Sequence, residues 1–138
     1  MTVLDASFLA KVVLEEEGSR AARRLLRGWL EAGEPLHTVD LAYAELVNVL
    51  WKHAAKIGDL EPGQALEALE DLDRLWRLLD VHPAPELARD ALRIAVEENV
   101  TGYDALYLAA ATRYGGPLAT FDQRLAAAAH RLGVTVAP

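Results

Sequence analysis

The chain contains no cysteine, and this absence narrows the chemistry that is open to it. Disulfide bonds and thiolate metal sites are both excluded. No apolar run reaches the roughly 18–20 residues that a membrane-spanning helix needs. The N-terminus carries Asp5 and Lys11 too early for the apolar core of a secretory signal. We therefore expect a cytoplasmic protein without a membrane partner.

Positive charge is also scarce, since 14 Lys and Arg stand against 21 Asp and Glu, for a formal net charge of −7. A protein that coats nucleic acid through electrostatics alone is usually basic, so this function is disfavoured. A metal-dependent nuclease is compatible with the charge, because bound cations offset its carboxylates. The 138 residues contain no internal repeat or long linker, and 52% of them are hydrophobic. These features predict one globular domain over residues 1–138.

Short apolar runs alternate with helical segments along the whole chain. The runs that predict strands are TVLD, PLHTVD, LLDVH, PLATF and VTVA. One helix is predicted from residue 6, and the others cover about 18–32, 41–57, 62–78, 85–98, 103–114 and 122–132. Buried strands that alternate with helices form parallel sheets covered on both faces. The predicted fold is therefore α/β, a three-layer sandwich with a central, mostly parallel sheet of about four to five short strands flanked by helices.

Three aspartates stand where a strand or loop leads into a helix. Asp5 follows the first predicted strand, Asp122 follows the run LATF, and Asp104 opens an apolar helix. The carboxyl ends of parallel strands share one edge of a sheet, and ligands bind at that edge. In the third predicted helix, Glu45 and Asn48 lie on a narrow polar stripe. These side chains could therefore face one polar cleft.

Each acid also has a purely structural explanation. Aspartate is among the best N-capping residues, which would account for Asp5 and Asp122. Thr101 and Asp104 have the spacing of a capping box, with Asp in place of the usual Glu or Gln. Glu45 could lie on a solvated helix face. The joint pattern, in a chain without a glycine-rich phosphate loop or a histidine pair at metal-ligand spacing, favours a shared carboxylate site.

The segments VLDAS, AELVNVLWK, YDALYLAAA and LATFDQRL, in this order and spacing, together resemble the PIN-domain family. Within that family the chain is similar to the VapC-like toxins of prokaryotic toxin–antitoxin pairs. The resemblance implies a fold like that of flap endonucleases and a ribonuclease activity that requires Mg²⁺ or Mn²⁺. It also implies RNA as the substrate, a cognate VapB-like antitoxin, and a homodimer or higher homo-oligomer.

The resemblance assigns the site residue by residue. The acids expected to bind the metal and to act in catalysis are Asp5, Glu45, Asp104 and Asp122, with Asp5 and Asp104 as direct ligands. The side chains expected to orient these ligands or a water molecule are Ser7, Asn48 and Thr120. Mg²⁺ prefers oxygen ligands and keeps several waters, so a few carboxylates suffice. The ion would relieve repulsion between the carboxylates, polarise a phosphoryl oxygen and activate water for in-line attack.

Three other functions compete with this one. A haloacid-dehalogenase-type phosphatase needs a second Asp two places after the first, and this chain has Ser7 there. A response-regulator receiver needs a late lysine, whereas the last lysine here is Lys56. A non-catalytic PIN-fold module that binds RNA or protein stays open, although the complete set of acids argues against it.

Two surface features are open to more than one interpretation. A basic stripe on the second predicted helix comprises Arg20, Arg23, Arg24 and Arg27. It could guide RNA phosphates, but we interpret it as a solvated face paired with Glu15–Glu17 and Glu31. The helix after Pro62 carries Leu66, Leu69, Leu72, Leu75 and Trp76 on one side. That side suits either core packing or a partner groove beside the third helix.

Overall fold

A five-stranded parallel sheet forms the centre of the computed structural model, which describes residues 1–138. Its strands are β1 (Thr2–Leu4), β2 (Leu36–Val39), β3 (Asp80–His82), β4 (Leu118–Ala119) and β5 (Val136–Ala137). The strand order is β3-β2-β1-β4-β5, and every neighbouring pair is parallel. All five predicted strands are therefore present, and the predicted fold class is confirmed.

Seven α-helices and one π-helix connect and cover the strands. They are α1 (Ala6–Val13), α2 (Ser19–Glu31), α3 (Leu41–Trp51), the π-helix (Lys52–Ile57), α4 (Pro62–Trp76), α5 (Ala84–Glu98), α6 (Gly102–Tyr114) and α7 (Gln123–Arg131). The prediction of one regular helix over 41–57 is corrected, because its last turn widens into the π form. Gly58 ends that turn with a φ of +77°, and its N–H donates to the carbonyl of His53 at 2.9 Å. None of the helices combines the length and the apolarity that crossing a membrane requires.

The core lies on both sides of β1, whose Val3 and Leu4 are fully buried. The helix α6 packs on β1 and β2, and its alanines allow a close approach to the sheet. The helix α1 packs against α2, α3 and α4. Parallel strands covered in this way are buried on both faces, which is why all three residues of β1 are buried.

The direction of strand addition reverses at β1. The chain passes from β1 to β2 and β3 on one side of the sheet, and β4 and β5 lie on the other side. Such a reversal opens a crevice at the carboxyl ends of the two central strands. Asp5 directly follows β1, and Thr120 directly follows β4. The fold therefore places these two residues beside one another at the switch point.

Candidate active site

Asp5 is the most buried acid of this site, with 3% of its surface exposed. Its Oδ1 accepts hydrogen bonds from Ser7 Oγ at 2.7 Å and from the Phe8 N–H at 2.8 Å. Its Oδ2 accepts a hydrogen bond from Thr120 Oγ1 at 2.5 Å. Since the Phe8 N–H belongs to the first turn of α1, Asp5 is also the N-cap of that helix. Three donors therefore hold the carboxylate in one orientation.

Burial raises the pKa of Asp5 from 3.8 to about 6. Hydrogen bonds from Thr120, Phe8 and Ser7 lower the pKa, but they do not offset burial, and the nearby Asp122 raises it again. A carboxylate that is both desolvated and repelled by a neighbour is costly to ionise. Asp5 forms no ion pair with a basic side chain of this chain. A bound cation would offset both costs.

Two hydroxyl groups join the ends of β1 and β4. Thr120 Oγ1 accepts a hydrogen bond from the Asp122 N–H at 2.9 Å and lies 3.2 Å from Ser7 Oγ. Ser7 Oγ accepts one from the Phe121 N–H at 2.8 Å. The same two hydroxyls donate to Asp5. Both residues therefore lie where the sequence analysis expects side chains that orient a ligand, and that role stays a prediction.

Asp104 and Asp122 line one cavity of about 390 Å³ beside this network. Asp122 is the N-cap of α7, because its Oδ1 accepts from the Arg124 N–H at 2.9 Å and the Leu125 N–H at 3.2 Å. Asp104 lies in the first turn of α6, and its N–H donates to Thr101 Oγ1 at 3.1 Å. Asp122 is therefore an N-cap as predicted, whereas only half of the predicted capping box at Thr101 and Asp104 is present, because no hydrogen bond joins the Thr101 N–H to the Asp104 carboxylate.

The charge on Asp104 depends on its neighbours in this cavity. Burial raises the pKa of Asp104, the negative charge of Asp122 raises it further, and Arg124 lowers it. Arg124 and Arg131 line the same cavity. Arg124 was not predicted as a site residue from the sequence, although it stands two places after Asp122 in the segment FDQRL. The site therefore contains a cation that can attract an anionic substrate.

Glu45 is held by a residue that the sequence analysis also missed. Tyr107, which is 2% exposed, donates its hydroxyl to Glu45 Oε1 at 2.7 Å. Burial raises the pKa of Glu45, and Asp104 adds to the rise, while the bond from Tyr107 lowers it. Burial also raises the pKa of Tyr107 itself, so this hydroxyl keeps its proton. The available signal was spacing, because Tyr107 lies three places after Asp104 on the same side of α6.

Asn48 is the predicted site residue that lies apart from this network. It is exposed on α3, and its side chain forms no hydrogen bond with Glu45 or any other residue. The spacing of three residues is correct, but the exposed face of α3 carries the amide outwards. Its expected role in orienting a ligand stays a prediction.

The four acids form a series of neighbouring pairs rather than one tight cluster. The negative charge of Asp122 raises the pKa of Asp5 and of Asp104, and that of Asp104 raises the pKa of Glu45. No three Asp, Glu or His side chains lie close enough together to hold a metal ion between them. Mg²⁺ is usually held by one or two carboxylates while water completes its octahedron. The donor set of this site consists of carboxylate oxygens without a competing thiolate or imidazole, and it therefore fits such an ion.

Comparison with known proteins places this site in a family. A sequence profile of the PIN domain matches residues 2–131. The chain is 41% identical over 124 residues to Ribonuclease VapC3 of Pyrobaculum aerophilum, which covers 90% of this chain and 91% of that protein.

Solved structures show the same fold. The crystal structure of PAE2754 from Pyrobaculum aerophilum superposes with a TM-score of 0.72 at 28% identity, over 98% of this chain and 82% of that chain. VapBC2 from Rickettsia felis, solved bound to a DNA fragment from its promoter, contains a chain that matches with a TM-score of 0.64 at 10% identity. That match covers 99% of this chain and 96% of the other.

Proposed function

Because the chain belongs to the PIN domain family, we propose that it is a ribonuclease that requires Mg²⁺ or Mn²⁺ and the toxin of a VapBC-type toxin–antitoxin pair. The observation that carries this proposal is the state of Asp5. It is a buried carboxylate at the switch point, held by three donors, with a pKa raised to about 6 and no basic partner. The name of the VapC3 relative supports RNA as the substrate.

The side chains of the site have distinct tasks in this proposal. Asp5 and Asp104 would hold the ion directly, and Glu45 and Asp122 would complete the set, directly or through water. When bound, the ion would supply Lewis-acid polarisation of a phosphoryl oxygen and a water acidic enough to attack it. Ser7 and Thr120 would keep the Asp5 carboxylate in one orientation, and Tyr107 would do the same for Glu45. Arg124 would attract the substrate phosphate into the cavity that it shares with Asp104 and Asp122.

Two exposed apolar surfaces suit the partners of such a toxin. A groove between α3 and α4, about 340 Å³ in volume, is lined by Val47, Trp51, Leu66 and their neighbours. A groove between two helices accepts the apolar side of a third helix, so we assign it to a VapB-like antitoxin. A second apolar surface on α5 and α6 exposes Leu92 and Tyr103. Since Tyr103 precedes Asp104, a second copy of the chain that covers this surface would border the site.

The direct test is metal-dependent cleavage by purified, antitoxin-free protein. We expect it to cleave single-stranded or loop RNA with added Mn²⁺ or Mg²⁺, and we expect EDTA to abolish cleavage. Asp5→Asn should reduce the rate sharply, because loss of a ligand weakens both metal binding and phosphoryl polarisation. Asp71→Asn, which removes an exposed carboxylate on α4, is the matched control.

The combination of variants tests whether the acids serve one site. The effects of Asp5→Asn and Asp104→Asn on the rate should not add. Both residues would serve one metal site, and either substitution alone would already impair that site. A protein that binds no divalent metal at millimolar concentration, and whose RNA cleavage is unchanged by Asp5→Asn, would reject the nuclease proposal. The non-catalytic binding module would then be the better description.

A further inference from the structure

A basic surface runs along α2, and it consists of Arg20, Arg23, Arg24 and Arg27. These positions follow the i, i+3, i+4, i+7 spacing that places side chains on one side of a helix. The opposite side of α2 buries Ala22 and Leu26 in the core. The four arginines alone line a shallow concavity of about 280 Å³. We call this surface the arginine face.

Three of the four arginines on the arginine face form no ion pair within the chain. Arg23 pairs with Glu15 and donates to the carbonyls of Val12 and Leu14 at 3.0 and 2.8 Å. No carboxylate oxygen lies within 4.0 Å of Arg20, Arg24 or Arg27. Of the predicted pairing with neighbouring glutamates, the structure shows the ion pair of Arg23 with Glu15 and a weaker effect of Arg20, whose positive charge lowers the pKa of Glu15; Arg24 and Arg27 form no ion pair.

Folding does not explain these charges. Like charges three or four places apart on a helix repel one another and destabilise it. Arg20 also lies in the first turn of α2, where the partial positive charge of the helix end disfavours a cation. A bound anion would remove both costs. The arginine face thus has the properties of a surface that is stabilised by a polyanionic partner.

The helix that carries the arginine face begins near the candidate active site. Gly18 starts α2 with a φ of +91°, and a Cβ atom built on it would lie 3.0 Å from the Phe121 ring. Phe121 immediately precedes Asp122, and its N–H donates to Ser7 Oγ. From there the helix runs towards the start of β1, because Glu34 beyond its end pairs with the Met1 amino group. The start of α2 therefore lies near the loop that carries Asp122, and its end lies near the start of β1.

The length of the arginine face suits a nucleic-acid backbone. Arg20 and Arg27 are seven positions apart on the helix, and this corresponds to a rise of about 10 Å along the helix axis. Duplex DNA carries one phosphate per strand about every 3.4 Å of helix axis, so the face is long enough to span more than one nucleotide of a nucleic-acid backbone. Guanidinium groups bind phosphate oxygens in a bidentate way, which lysines cannot do. An RNA strand that enters the acidic site would need such a contact, because the net charge of the chain is −7.

We propose that the arginine face binds the sugar–phosphate backbone of RNA on one flank of the scissile bond. This inference rests on the proposed ribonuclease function, since RNA is the polyanion that the site would have to recruit. An acidic segment of a protein partner is the competing occupant. It would meet the same charges but would leave the affinity for RNA independent of these arginines.

The test measures RNA binding without cleavage. A fluorescent RNA hairpin with a single-stranded flank is titrated in EDTA at 50–200 mM KCl, and anisotropy reports the Kd. The variant carries Arg20→Gln, Arg24→Gln and Arg27→Gln, and Arg23 stays because it ties α2 to the end of α1. The control carries Arg74→Gln, Arg89→Gln and Arg93→Gln, which removes the same charge from exposed positions on α4 and α5.

We expect the arginine-face variant to raise the Kd at least about 10-fold and to reduce the slope of log K against log[KCl] by about 2–3, since each lost phosphate contact contributes about 0.7–0.9. The control should change the Kd less than about 3-fold, because its charges lie elsewhere. If the two variants lose the same RNA affinity, the loss depends only on the net charge of the chain, and the proposal is wrong. Unchanged RNA affinity would also overturn it, and loss of binding to a polyglutamate peptide alone would point to an acidic protein partner.

A cleavage assay separates this inference from the proposed function. With Mn²⁺, the arginine-face variant should keep its kcat and show a raised KM only for RNA long enough to reach α2. If the variant cleaves long RNA with an unchanged KM, the proposed RNA binding by the arginine face is wrong, and the proposed nuclease function still stands. If the wild-type chain binds RNA through these arginines but cleaves no RNA, the proposed nuclease function is wrong, and the proposed RNA binding still stands.

Discussion

Replacement of Asp5 by asparagine should stabilise the metal-free protein, although it removes the central residue of the site. The folded-state pKa of Asp5 is raised from 3.8 to about 6, mainly by burial. This difference corresponds to about 3 kcal/mol by which the ionised carboxylate disfavours the folded state. Asparagine keeps an acceptor for the Phe8 N–H but presents an NH₂ group to the Thr120 hydroxyl, which costs about 1 kcal/mol. The net expectation at neutral pH is a gain of about 2 kcal/mol.

The effect has a defined dependence on pH. Between pH 3.8 and about 6 the folded state binds more protons at Asp5 than the unfolded state does, so wild-type stability falls as the pH rises. Ionised Asp5 therefore does not destabilise the folded state below this pH window, and it destabilises the folded state fully above it. The advantage of Asp5→Asn should therefore shrink by about 2 kcal/mol between pH 7.5 and pH 4.5.

Urea denaturation in EDTA at these two pH values measures the effect, with Asp71→Asn as the control for loss of an exposed carboxylate. Added Mn²⁺ should reverse the order, because an ion bound only to the folded wild type stabilises it by mass action. A variant that is less stable than the wild type by the same amount at both pH values would refute the reasoning. Asp5 would then be an ordinary helix cap whose pKa is not raised.

Three further substitutions test separate parts of the structure. Tyr107→Phe should weaken Mn²⁺ affinity and activity by about 10–100-fold, because it removes the hydrogen bond that holds Glu45. The control is Tyr43→Phe, which removes a similar hydrogen bond to Asp73. It should change neither the Mn²⁺ affinity measured by calorimetry nor the rate of cleavage. Asp104→Asn should raise the melting temperature of the metal-free protein, because burial and a neighbouring carboxylate raise the pKa of Asp104; a fall in a calorimetric scan would show that ionised Asp104 stabilises the fold. Leu72→Ala should destabilise the protein by about 2–5 kcal/mol in urea denaturation, since the side chain is fully buried, and a loss below about 1 kcal/mol would contradict this packing.

The secondary structure and the positions of the aspartates could be predicted from the sequence. Each strand overlaps a run that the sequence analysis predicts as a strand. Asp5 directly follows β1, Asp122 stands shortly after β4, and each aspartate is the N-cap of the next helix. These are local relations, so they are visible in a single chain. The π-helix after Trp51 could not be predicted from the sequence, because the same residues support either an α or a π turn.

The contacts that define the site arise only in the tertiary structure. The bond from Thr120 to Asp5 joins residues 115 places apart, and the bond from Tyr107 to Glu45 joins residues 62 places apart. Both depend on the strand order, which puts β4 beside β1 and α6 over β1 and β2. Periodicity reports which side of a helix is apolar, but it does not report which element covers that side. The sequence therefore determined which groups the chain carries to the sheet edge, and the order of the strands decided which of them meet, because hydrogen bonds and desolvation depend on distance in space.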